Sequence, residues 1–155
     1  MNRETIKMLF EYSFLTLQQN LDGIDHEESM IGPEKGGNCI NWVLGHILLS
    51  RNAVLKLVEA EPIWPPEEGL LYERGSSPLD GRSHPRSLDR LLGDLNTSQE
   101  RLMAALDRMK EHDLQTGTDG MTRARQISAF HFHEAYHSGQ IGVLRRFIGK
   151  TGAIR

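Results

Sequence analysis

The stretch His131-Phe132-His133-Glu134-Ala135-Tyr136-His137-Ser138-Gly139-Gln140-Ile141 decides how the chain is read. His133 and His137 stand four residues apart. Four residues turn an α-helix through about 400°, so both imidazoles lie on one face, roughly one turn apart. Ile127, Phe130, Leu144 and Ile148 fall on that face too. The spacing predicts a long amphipathic helix whose inner face carries two histidines. An imidazole directed at a core must be hydrogen-bonded, bound to a metal, or held neutral at some cost.

Helical spacing recurs upstream. Ile6, Phe10, Phe14, Leu17 and Leu21 repeat at three and four, which predicts a first helix from about Glu4 to Leu21. Residues 22–38 read as a connection, broken by Asp22-Gly23, Gly32-Pro33 and Gly36-Gly37. A second helix, capped by Asn38 or Asn41, is expected to run to about Glu59. Val43, Ile47, Ser50, Val54, Leu57 and Val58 mark its inner stripe, with His46 on or beside it.

From Pro62 to Pro85 the periodicity dissolves into Pro62, Pro65, Pro66, Pro78 and Pro85, interleaved with Gly69, Gly75 and Gly81. A connection of this length is either a crossover that spans the bundle or a lid over a pocket, and both can hold. Trp64, Leu70, Leu71 and Tyr72 within it are expected to pack back in part. Ser87 then caps a third helix with the stripe Leu88, Leu91, Leu95, Leu102, Leu106 and Met109. A polar break over residues 113–121 ends at Asp119-Gly120. The fourth helix starts near Thr122 and runs to about Gly149, with Arg145, Arg146 and Lys150 where positive charge suits the helix dipole. No segment alternates like a strand between hairpin signals. The expected fold is all-α: one domain, residues 1–155, forming a four-helix bundle with a long crossover between helices two and three.

Composition sets further bounds. The 155 residues are 38% hydrophobic and 25% charged, ordinary values for a globular protein. A formal net charge of -3 gives no support to nucleic-acid binding. Cys39 is the only cysteine, so no intrachain disulfide is expected. Met1-Asn2-Arg3-Glu4 leads into an amphipathic pattern without signal-peptide character, and no apolar run is long enough to span a membrane. A cytoplasmic location is the expectation.

Borderline cations such as zinc take imidazole nitrogen well, and three protein ligands leave a position open for water or substrate. His133 and His137 supply two ligands from one helix. His46 is the best third candidate, because it lies near a core stripe of another helix. The alternative is a pair of core histidines bonded to a backbone carbonyl or a tyrosine. His131 is two residues from His133, about 200° around the helix, and is excluded from the same site. His26, His84 and His112 fall in loops or at a helix end and read as solvated. Glu134 is either an acceptor behind an imidazole or an exposed carboxylate. Gln140 can hydrogen-bond within the site or pack as an amide between helices. Gly139 in mid-helix is most simply explained by close approach of another helix. Neither Cys39 nor Ser50 has a base at a fixed local spacing.

The run His133-Glu134-Ala135-Tyr136-His137-Ser138-Gly139-Gln140-Ile141, followed by Leu144-Arg145-Arg146, resembles the last-helix signature of the DinB/YfiT-like family. Asn41-Trp42-Val43-Leu44-Gly45-His46 resembles that family's second-helix motif. The helix order, the long crossover and the final Gly149-Lys150 also agree, although specific matching is confined to the two helices. The resemblance implies a four-helix bundle with three histidines around a divalent metal, often zinc or nickel. The implied ligands are His46, His133 and His137. It also implies a homodimer, to which exposed Phe132, Tyr136 and Phe147 would contribute. The family's activities include transfer and isomerisation reactions with a low-molecular-weight thiol, such as mycothiol or bacillithiol. The expected function is therefore a metal-dependent thiol transferase acting on a small-molecule substrate. A metal-dependent hydrolase and a non-catalytic metal-binding or structural bundle are the alternatives. In the enzyme readings Trp64, Tyr72 and Arg74 on the crossover would shape the pocket.

Overall fold

The computed structural model describes residues 1–33, 36–79, 83–118 and 120–153. Gly81 of the crossover and Asp119 of the polar break lie outside the described residues. Helix α1 spans Arg3–Leu21, and the Asn2 side chain accepts from the Thr5 backbone N–H at its start. The short α2, His26–Ser29, opens on a capping box made by Asp25 and Glu28. Helix α3 spans Ile40–Leu57, and a 3₁₀ helix follows over Pro66–Tyr72. Helix α4, Leu88–Arg108, is capped by Ser87 as expected. Helix α5 is Glu111–Gln115, and α6 is Arg123–Phe147 with Thr122 as its cap.

Two corrections apply. Gly117–Thr118 (β1) pairs antiparallel with Met121–Thr122 (β2), where no strand was expected. Two residues are too few to show alternation, so the pattern had no way to reveal them. The N-cap of α3 is Cys39, which makes no side-chain cap bond. Asn41 lies inside the helix instead. It donates to the Arg86 carbonyl at 2.9 Å and accepts from the Tyr72 hydroxyl at 3.3 Å.

The architecture is an all-α bundle. Four long helices pack together, α6 against α1 and α3, and α4 against α1 and α3. The short α2 and α5 and the 3₁₀ helix stand beside them. Among the described residues no helix is long and apolar enough to cross a membrane.

The core is split in two. One cluster gathers Leu17, Leu44, Leu48, Leu91, Leu95 and Ile141. The other gathers Phe10, Val54, Leu55, Leu102, Leu106 and Ile127. Along each long helix, polar residues stand between the two sets: Ser13 on α1, Arg51 on α3, Ser98 and Gln99 on α4, and Glu134 on α6. All five are buried.

The crossover packs down on α3. A Cβ on Gly45 would sit inside the Tyr72 ring, so the ring lies directly against the helix backbone there. Tyr72 and Trp64 are buried, whereas Leu70 and Leu71 stay exposed. Asn52 ties down the start of the connection, accepting from the Ile63 N–H at 2.7 Å and donating to the Trp64 carbonyl at 3.0 Å. The Trp64 indole donates to Asp94 at 2.7 Å, which links the crossover to α4.

Candidate metal centre

Helix α3 presents His46 to α6, where His133 and His137 face it one turn apart. The Nε2 of His133 is 3.1 Å from the Nε2 of His46 and 3.1 Å from the Nε2 of His137. The three histidines offer ligand atoms that all lie within 4.8 Å of one another. The i, i+4 pair read from the sequence and the distant His46 do converge.

The far side of each ring fixes its tautomer. His46 Nδ1 lies 2.7 Å from the Tyr72 carbonyl oxygen. That oxygen only accepts, so Nδ1 carries the hydrogen and Nε2 keeps its lone pair. His137 Nδ1 lies 2.6 Å from Gln140 Oε1, which imposes the same tautomer. Ser50 donates its hydroxyl hydrogen to the His46 carbonyl at 3.1 Å, and its oxygen is 3.3 Å from His133 Nδ1. The single hydroxyl hydrogen being spent, His133 Nδ1 is the donor to Ser50. All three Nε2 lone pairs therefore point at a common centre.

Three lone pairs brought this close repel one another. A proton on one Nε2 relieves one contact and leaves the rest. A cation accepts all three, and a cation–nitrogen distance of about 2.0–2.1 Å is compatible with nitrogens about 3 Å apart. The donor set thus fits a divalent metal ion. Burial pushes the His133 pKa down to about 4, helped by the neighbouring His137 and His46. Burial also lowers His137, against the opposing hydrogen bond that its Nδ1–H donates to Gln140. Both rings are neutral at pH 7, the state in which imidazole ligates. Trp42 stacks on His46 with centroids 4.8 Å apart and an interplanar angle of 15°, which holds the ring flat against α3.

The other histidines stand apart from the cluster. His131 turns toward α1, where its Nε2 meets the Leu9 carbonyl at 3.1 Å and its ring packs edge-on against Phe10. His84 and His112 are exposed. His26 is exposed as well, yet its Nδ1 accepts from the Leu88 N–H at 3.3 Å, at the start of α4.

Three expectations are corrected. Glu134 neither orients an imidazole nor meets solvent; it is 2% exposed and paired with Arg51. Gly139 is not crowded, since nothing lies within 4 Å of an added Cβ. Trp64 and Tyr72 are core residues and Arg74 is exposed, so their side chains do not wall the site. The crossover contributes the Tyr72 carbonyl instead.

The residue the sequence reading missed is Arg51. Its Nε and Nη2 donate to the two Glu134 oxygens at 2.8 and 2.7 Å. Its Nη1 donates to Ser98 Oγ at 2.9 Å and to Gln99 Oε1 at 3.0 Å. The Ser13 hydroxyl completes the set by donating to Glu134. A signal existed: Arg51 lies four after Ile47 and three before Val54, on the inner stripe of α3.

An all-α bundle with three facing histidines that can hold a metal ion defines the class of protein. The DinB superfamily profile matches residues 11–141, and the chain belongs to that superfamily. A conserved protein from Enterococcus faecalis, known from its crystal structure, is similar in fold, with a TM-score of 0.71. It is 16% identical, and the alignment covers 96% of this chain and 98% of that one. No curated protein matches the chain.

Replacing Arg51 by Met strands the Glu134 carboxylate between two apolar clusters. Urea unfolding should show a loss of about 3–5 kcal/mol, the usual cost of breaking a buried pair from one side. The double variant Arg51→Met/Glu134→Leu should recover a large part of that loss. Equal stabilities for all three proteins would show that the pair has no such role.

Proposed function

We propose that His46, His133 and His137 bind one divalent metal ion and that the protein is a metal-dependent enzyme. The observation that carries the reading is the convergence of three Nε2 lone pairs, each fixed by a partner on the opposite side of its ring. A closed structural site needs four protein ligands, and among the described residues the cluster offers three. A divalent ion bound there supplies Lewis acidity that makes water or a thiol a better nucleophile near neutral pH. The chain's own part is to hold the rings. The Tyr72 carbonyl and Gln140 keep His46 and His137 oriented and raise their basicity as ligands. Ser50 does the same for His133.

Zinc and nickel are the proposed metals, as the imidazole set suits both. The preference for a low-molecular-weight thiol over water rests on the family resemblance, and hydrolysis is the second reading of the same centre. The protein is further proposed to act as one cytoplasmic domain and as a homodimer. The pairing proposal has structural support in an apolar face. Met8, Tyr12 and Leu15 of α1 and Phe132, Tyr136, Val143 and Phe147 of α6 are exposed, each set on one side of its helix. Faces of this kind mark contact surfaces.

Elemental analysis of protein purified without a histidine tag should give about one divalent ion per chain. His133→Ala and His137→Ala should each lose most of it, and His131→Ala should keep it. Full metal content in both site variants would remove the assignment. The bound metal should also leave as pH falls, because protons compete for the same Nε2 lone pairs. The depressed His133 pKa means that protons displace the metal from it only at lower pH than from an ordinary imidazole.

The chemistry is tested with a panel of small thiols and electrophilic acceptors, run beside ester and amide substrates. Thiol-dependent turnover that disappears in His46→Ala supports transfer. Thiol-independent cleavage lost in the same variant moves the assignment to hydrolase. Inactivity across the panel would leave a metal-binding module.

For the oligomer, sedimentation at micromolar concentration should report a dimer, and Phe132→Glu should shift it to monomer. A wild-type protein that sediments as a monomer ends the pairing proposal.

A further inference from the structure

One cavity among the described residues lies beside the converging nitrogens without opening onto them. Its volume is about 600 Å³, and it lies one helical turn further along α6, against α3 and the loop before it. That size is typical of small-molecule sites. Val43 and Leu144 form its inner wall and are almost fully buried, with Pro33 and Val143 above them. No charged side chain lines it among the described residues. Among the described lining residues a charged ligand would find no counter-charge to offset its lost hydration.

Polar groups enter the wall at Asn38, Tyr136 and Gln140. Gln140 is the link to the histidines. Its Oε1 accepts from His137 Nδ1 at 2.6 Å. Among the described residues its Nε2 reaches only the Tyr136 hydroxyl, at 3.5 Å, the outer limit of a hydrogen bond. The amide therefore has donor capacity left over on its cavity side.

We propose that this cavity binds a neutral, predominantly apolar small molecule carrying a hydrogen-bond acceptor, and that Gln140 couples its occupancy to the ligand strength of His137. An acceptor on Nε2–H polarises the amide and strengthens Oε1 as an acceptor. A stronger acceptor behind the imidazole raises the basicity of the opposite nitrogen. Ligand and metal then favour each other's binding, and the effect is reciprocal. The coupling rests on the metal reading above; the binding of the apolar molecule does not.

The probe is prodan, a neutral naphthyl ketone dye, titrated into the full chain with and without zinc. The anionic dye anilinonaphthalene sulfonate is the control. Prodan emission should shift to the blue and saturate at one dye per chain, and the sulfonate should bind more weakly. Gly139→Leu narrows the cavity at a position with free space for a side chain, and Asn38→Asp puts a charge in the wall away from the proposed pairing face. Each should weaken prodan by roughly tenfold, the size of about one lost apolar contact, with helical content by circular dichroism unchanged. Saturating prodan should tighten zinc binding in the wild type. Gln140→Leu should still bind the dye and lose that tightening.

Emission that never saturates, undiminished binding in both cavity variants, or a preference for the sulfonate overturns the site. An unchanged zinc affinity in saturating prodan overturns the coupling. Saturable prodan with no zinc uptake would sustain the cavity and remove the metal reading. Zinc uptake with no saturable prodan would do the reverse.

Discussion

The Arg51–Glu134 pair is the constraint on which the rest of the bundle depends. A guanidinium and a carboxylate buried between two apolar clusters are costly unless nearly every donor and acceptor is matched. Matching them here takes Ser13 from α1, Ser98 and Gln99 from α4, and the pair itself from α3 and α6. Apolar clusters tolerate sliding and repacking, whereas a directional network of this kind does not. A one-residue slip of α6 would rotate its face by about 100° and carry Glu134 out of the layer. The pair thus sets the axial and rotational register of the four long helices.

That register is what the histidines need. Ser50 immediately precedes Arg51, and His133 immediately precedes Glu134. Each neighbour sits about 100° around its helix from the paired residue. With the ion pair turned to the bundle centre, Ser50 and His133 turn to the α3–α6 seam. There His46 and His137, one turn away on their own helices, complete the cluster. The buried salt bridge and the histidine cluster are adjacent layers of one arrangement.

The crossover adds the last partner. Gly45 lets the Tyr72 ring rest on the α3 backbone, and the ring's burial brings the Tyr72 carbonyl to His46 Nδ1. The hydroxyl of the same tyrosine accepts from the Arg86 N–H at 3.0 Å and so ties down the far end of the connection. Backbone from a segment without helical periodicity therefore fixes the tautomer of a histidine on a helix. This is why the connection packs as a structural crossover while its Leu70 and Leu71 remain at the surface.

The sequence by itself determined the four long helices and the placing of His133 and His137 on one face. Periodicity is local, so the stripes of α1, α3, α4 and α6 and the His133–His137 spacing could be read directly, as could the Ser87 and Thr122 helix starts. His46 was placed on a facing stripe, and the motif around it pointed the same way. Gln140 was within reach of the site by spacing alone. Only the tertiary structure decided which nitrogen of each ring faces inward, because that depends on Tyr72 and Ser50 arriving from other parts of the chain. It also decided the fate of Glu134. Spacing shows that this residue points away from its neighbouring histidine, but whether water or Arg51 meets it depends on a helix more than eighty residues earlier. Gly139 shows the same limit from the other side: a helical glycine signals space, and only the packed bundle reveals whether a helix or an open groove fills it.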